Sequence, residues 1–171
     1  VLGSSFSGAF GNLDYSETFF TDTSLAYKMN QNSEILFKTA YANSKTELKD
    51  QGLIDEFSDI NSSYYSFGYG KKSLLTPKDK SILTLTRPLK VDKGHIEMSV
   101  PQYATSDNKI IRENSNIDLM PDNNQFNLEF DYNINVNNNN FNIGFLSIIN
   151  NNHTNKSSIE NLFKLHYKYS F

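Results

Sequence analysis

The chain has 171 residues, with 37% hydrophobic and 20% charged residues and a formal net charge of −3. Aromatic residues still reach 13%, mostly as 13 Phe and 10 Tyr, so the composition excludes a disordered chain, which lacks such residues. No Lys/Arg run makes a nucleic-acid footprint, the absence of Cys removes disulfides and thiolate sites, and no stretch has the ~18 apolar residues of a membrane helix.

The chain starts at Val1 rather than Met and carries no signal peptide, so it reads as a segment of a longer protein. Residues 1–13 are expected to be a linker, and 14–171 a single domain. Gly3-Ser4-Ser5-Phe6-Ser7-Gly8 superficially looks like a nucleophile elbow, but it is not G-x-S-x-G and no strand precedes it.

Leu25, Tyr27 and Met29 alternate with small or polar residues, Asn30-Gln31-Asn32 fits a tight turn, and Phe37, Thr39 and Tyr41 follow. Residues 44–61 form the longest stretch without strand pattern. Leu53, Ile54, Phe57 and Ile60 have helical spacing there, which predicts a short amphipathic helix, although Gly52 weakens it. Tyr65, Phe67 and Tyr69 alternate with Ser66, Gly68 and Gly70. Gly68-Tyr69-Gly70-Lys71-Lys72 lacks the further glycines of a phosphate loop. Leu83 and Leu85 form a strand that should end, or lie at an edge, at Arg87-Pro88, because Pro cannot donate to a ladder. Asp92-Lys93-Gly94 suits a hairpin turn, and Ile96, Met98 and Val100 follow until Pro101. A weak strand covers Ser115 to Leu119.

The clearest period of two comes last. Phe126, Leu128, Phe130, Tyr132, Ile134 and Val136 alternate with Asn127, Glu129, Asp131, Asn133 and Asn135. Phe141, Ile143, Phe145 and Ile149 follow a turn of asparagines. Phe163, Leu165, Tyr167, Tyr169 and Phe171 then alternate with Lys164, His166, Lys168 and Ser170. Asn clusters at 137–140 and 150–152 read as turn chemistry. Asn61-Ser62-Ser63, Asn152-His153-Thr154 and Asn155-Lys156-Ser157 match a glycan-acceptor pattern short enough to arise by chance.

One apolar and one polar face fit either a soluble β-sandwich or a transmembrane barrel. Strands near ten residues, aromatic strand ends and low overall hydrophobicity favour the barrel. The expected fold is all-β, an antiparallel up-and-down outer-membrane barrel of about eight strands, nine or ten being the wider range, with the soluble β-sandwich as alternative. On the polar face, Glu129 and Asp131 are expected to pair across strands with Lys164 and Lys168. His95, His153 and His166 are scattered and form no metal or catalytic set. No catalytic, cofactor or metal residue is expected.

The series Phe163, Leu165, Tyr167, Tyr169, Phe171 resembles the C-terminal assembly signal of bacterial outer-membrane barrels. Two further stretches resemble one family. Val1-Leu2-Gly3-Ser4-Ser5-Phe6, Leu13-Asp14-Tyr15 and Phe19-Phe20-Thr21-Asp22-Thr23 are similar to the segment after the protease domain of subtilisin-like autotransporter peptidases of Gram-negative bacteria. Arg87-Pro88-Leu89-Lys90-Val91-Asp92-Lys93-Gly94, then Val100-Pro101, then Ile117-Asp118-Leu119-Met120-Pro121, resemble that family's Q-P-L-R-V-x-x-G, L-P and L-D-L-x-P series. Arg87 stands for Gln, Lys90 for Arg, and Asp122-Asn123-Asn124 for a Ser-Gly-Arg-like turn. The family's barrels have about twelve strands over a longer segment. The resemblance implies a non-catalytic outer-membrane anchor at the cell surface that helps export a passenger protease, whose triad lies upstream of Val1. Its implied partners are outer-membrane lipid, the barrel-assembly machinery and the chain's own passenger. Within it Arg87, Pro88, Leu89, Gly94, Asp118 and Pro121 carry the family-like motif.

Overall fold

In the computed structural model, residues 8–136, 139–154 and 158–169 are described. Among these described residues ten strands form: β1 Gly11–Lys28, β2 Ser33–Gln51, β3 Ile54–Phe57, β4 Ile60–Lys72, β5 Asp79–Lys93, β6 His95–Ala104, β7 Ile110–Asp118, β8 Phe126–Val136, β9 Asn139–Ile149 and β10 Ile159–Tyr169. The fold is all-β and antiparallel. Seven strands make one sheet in the order β1-β2-β4-β5-β8-β9-β10, and three make another, β3-β6-β7. β1 and β10 are the edges of the larger sheet, which does not close on itself through the described residues.

The chain divides into two compact units. The first comprises Val1–Thr21, Tyr41–Ser63 and Val91–Met120. In it β1 and β2 hold one register through side-chain bonds: Asn12 to Asp50 at 3.1 Å, Tyr15 to Glu47 at 2.7 Å and Thr18 with Ser44 at 2.9 Å. Among the described residues the four buried apolar ones, Ala42, Ile54, Phe57 and Ile60, lie in this unit.

The helix expected around Leu53 to Ile60 does not form; the segment is extended. β3 pairs antiparallel with β6, with a register shift between Ile54 and Glu56. Such a bulge lets residues three apart share a side. Ile54 and Phe57 are therefore both buried from a strand, and their spacing imitates a helix. The backbone is committed elsewhere: Leu53 N donates to Ala9 O at 2.8 Å, and Ser99 N to Leu53 O at 2.8 Å.

The second correction concerns Asp92-Lys93-Gly94. β5 and β6 do not pair as a hairpin; the chain passes at Gly94 from the larger sheet to the smaller. Gly94 has φ of +154°, and a side chain there would meet Ile60. Pro88 and Pro101 do not stop their strands either. The β5–β8 ladder runs from Asp79 to Thr86 and ends before Pro88, so the missing donor costs no bond in it. β6 continues through Pro101 with a register shift just after it. β7 covers the weak Ser115 stretch but begins earlier, at Ile110.

The second unit comprises Asp22–Ala40, Tyr64–Lys90 and Pro121–Phe171. β8, β9 and β10 are each 11 residues long and pair without register shifts. Phe145 stands directly between Phe130 and Phe163, Ile143 between Tyr132 and Leu165, and Phe141 between Ile134 and Tyr167. The period-two reading of these strands therefore translates into continuous rows of large apolar side chains on one face.

Candidate functional site

The second unit is inverted relative to a water-soluble domain. Its buried positions are Ser33, Ser66, Asp79, Ser81, Arg87, Gln125 and His153, with Gly68, Gly70 and Gly144. Among the described residues of this unit, no apolar side chain is buried. Along β4 the contrast falls between neighbours: Ser66 is 9% exposed and Phe67 50%. On β10, Phe163 is 71% and Leu165 68% exposed. A single exposed Leu needs no explanation, but contiguous rows of Phe, Ile, Leu and Tyr mark an interaction surface.

The opposite face is polar and tightly bonded. Ser66 and Thr86 hydroxyls pair at 2.7 Å between β4 and β5, and Lys80 pairs with Glu34 at 3.1 Å. Asn133 and Asn140 exchange side-chain bonds at 3.2 and 3.1 Å. Asp131 and Lys164 face each other across Gly144, which is opposite both in the ladders. Of the expected charge neighbours, the ladders bring Asp131 towards Lys164, whereas Lys168 stands opposite Asn140 and away from Glu129 and Asp131.

Phe163, Leu165 and Tyr167 of the proposed assembly series share one face of β10, an edge strand exposed on both faces. Tyr169 ends that strand, and Phe171 lies outside the described residues. The family-like residues serve structural roles. Within the second unit, the Arg87 guanidinium is buried 4.7 Å from the centre of the Tyr65 ring. The C=O of Leu89 is bonded by the His153 ring at 3.3 Å. Pro121 leads towards β8. Within the first unit, Gly94 O accepts from Leu119 N at 3.0 Å, and Asp118 Oδ1 from Met120 N at 2.8 Å. Gly94 and Asp118 border a crevice of about 410 Å³ with Asp92, His95 and Asn116. Among the described residues no group of three or more His, Asp or Glu could hold a metal ion.

Two groups escape sequence reasoning. Asp79, at the start of β5, closes the turn after β4. Its carboxylate accepts from Leu74 N at 2.6 Å, Leu75 N at 2.8 Å, Thr76 N at 2.6 Å and the Tyr132 hydroxyl at 2.8 Å. Asp79→Asn gives up the charge-assisted acceptance from these four donors and is expected to lower the unfolding midpoint by several degrees. Thermal melts of both proteins, followed by circular dichroism, check this. The second group is His153, which ties three segments together. The only available sequence signals were the Pro-containing turn before Asp79 and the Asn cluster before His153.

No protein-family model, curated protein or solved structure matches the chain.

Proposed function

We propose that the chain is the membrane-embedded β-domain of an outer-membrane protein, non-catalytic itself, which anchors and helps export an upstream passenger. The observation that supports this best is the inversion of the second unit, with polar and Gly positions buried and rows of aromatic and aliphatic side chains exposed. Water penalises such a face at roughly 25 cal/mol per Å² of apolar area, whereas hydrocarbon does not. Strands of 11 residues also match the ~9–11 needed to cross a bilayer at a tilt. The bonded polar face suits a lumen filled by its own side chains.

The strand order sets a condition on closure. β1 and β10 are separated by an even number of antiparallel steps and run in the same direction. Joining them with antiparallel pairing throughout takes an odd number of further strands, and one would complete the eight-stranded barrel proposed here. The sequence resemblance supports a subtilisin-like serine peptidase as that passenger, with its triad outside this segment.

A second reading is a soluble accessory domain of β-sandwich type, favoured by the buried Ile54, Phe57 and Ile60 cluster in the first unit. Cold SDS-PAGE of refolded protein, with and without boiling, separates the two. The membrane reading expects a heat-dependent mobility shift that requires detergent during folding. A monomer that folds in plain buffer without that shift overturns it.

A further inference from the structure

The His153 ring is built into a junction of three segments. Gln125 N, just before β8, donates to its Nδ1 at 2.8 Å in a buried bond. A backbone N–H can only donate, so Nδ1 is the bare nitrogen and the ring proton sits on Nε2. Nε2 then donates to the C=O of Leu89 on β5 at 3.3 Å. Both bonds are available only to the neutral ring in this one tautomer.

The backbone around His153 is held in an unfavourable form. Asn150, Asn152 and His153 have φ of +53°, +59° and +57°. Asn tolerates the left-handed region, but His enters it at a cost. The restraints run back to the same junction: Asn123 N to His153 O at 3.1 Å, Asn152 N to Gln125 Oε1 at 2.8 Å, and Asn150 Nδ2 to Asn124 O at 3.3 Å.

We propose that His153 is an acid-released latch: a second ring proton breaks its bond to Gln125 N and frees the β9–β10 connection from β5 and β8. Protonation places an N–H against an N–H, so the bond converts to repulsion. Among the described residues, the charged groups closest along the chain to these bonded positions are Arg87 and Lys90 on β5, Asp122 in the approach to β8 and Glu160 on β10. Lys90 Nζ donates to Asn124 Oδ1 at 3.1 Å, and Glu160 accepts from Asn151 at 3.0 Å. Arg87 and Lys90 disfavour a further positive charge on the ring, whereas Asp122 and Glu160 favour it. The latched state binds this proton less readily than the released one. It therefore weakens as pH falls through the ordinary imidazole range, about 6.5. The latch does not depend on whether the exposed face meets lipid.

The test uses the full chain with His95→Gln and His166→Gln, so that His153 alone titrates, folded in detergent and labelled with ¹⁵N. At pH 7.5 the ring is expected to show the tautomer protonated on Nε2. The Gln125 amide is expected to exchange at least tenfold faster with solvent at pH 5.5 than at pH 7.5, after correction for intrinsic exchange. His153→Gln, which carries no titratable proton, is expected to lose this pH dependence. Two results overturn the latch: a ring protonated on Nδ1 at pH 7.5, or corrected Gln125 protection unchanged while the ring titrates.

Discussion

Phe145→Lys is expected to cost about 2–4 kcal/mol of folded-state stability in a bilayer, the range for a cation placed mid-strand on a lipid face. Phe145 sits at the centre of the apolar rows, directly between Phe130 and Phe163. A loss of ~3 kcal/mol lowers a folding equilibrium more than a hundredfold, so the compact band on unboiled gels should fall to a trace. Asn142→Lys is the matching control on the polar face, where Asn133 and His166 are its ladder partners. It is expected to leave that band at its normal intensity. The contrast between the two positions carries the information. A surface facing only water would tolerate Lys at Phe145 within about 0.5 kcal/mol, as surface positions generally do. Equal intensities for the two variants would therefore remove the reason for placing this face in lipid.

Gly52→Ala is expected to be the most damaging small substitution in the first unit. A Cβ at Gly52 would stand 2.6 Å from both Ala9 O and Phe10 C, which are backbone atoms of the turn just before β1. Gly11 faces the same approach from the other side, where a Cβ would meet Asp50 O at 2.6 Å. Backbone cannot swing aside as a side-chain tip can. The strand ends must part, and the 2.8 Å bond from Leu53 N to Ala9 O goes with them. The expected cost is about 3 kcal/mol or more, at the upper end of overpacking penalties. Hydrogen exchange of the Leu53 amide reports it directly. Protection equal to that of the unsubstituted chain would contradict the close approach.

The two glycines also show what sequence alone conveys here. Gly52 reads locally as a helix breaker, whereas its role is set by Gly11, 41 positions earlier, which no local window contains. The period-two strands were legible because their signal is local. Phe126 to Val136 alternates without interruption, and the structure keeps that alternation as a face. β3 was misread because its bulge moves Ile54 and Phe57 to one side, and periodicity analysis has no register for a bulge. Arg87 shows the same limit on β5. It follows Leu83 and Leu85 in the alternation but is buried over Tyr65, where the sequence predicts only that the strand ends or lies at an edge. His153 reads as one of three scattered histidines, and its partners Gln125 and Leu89 lie 28 and 64 residues away. Alternation also does not identify the medium on the apolar side. That inference rests on burial along β4 and around Gly144 of β9, where Ser and Gly are covered and their Phe, Tyr and Ile neighbours are exposed.

The most direct measurement exploits the absence of cysteine from the chain. Single Cys substitutions from Phe126 to Val136 can each carry a nitroxide label, with the protein reconstituted in lipid vesicles. Collision rates with oxygen, which concentrates in hydrocarbon, and with a water-soluble nickel chelate then report the medium at each residue. The membrane reading predicts high oxygen and low chelate accessibility at 128, 130, 132 and 134, and the reverse at 127, 129, 131 and 133. Chelate accessibility that is uniformly high along the strand, without a period of two, would contradict it.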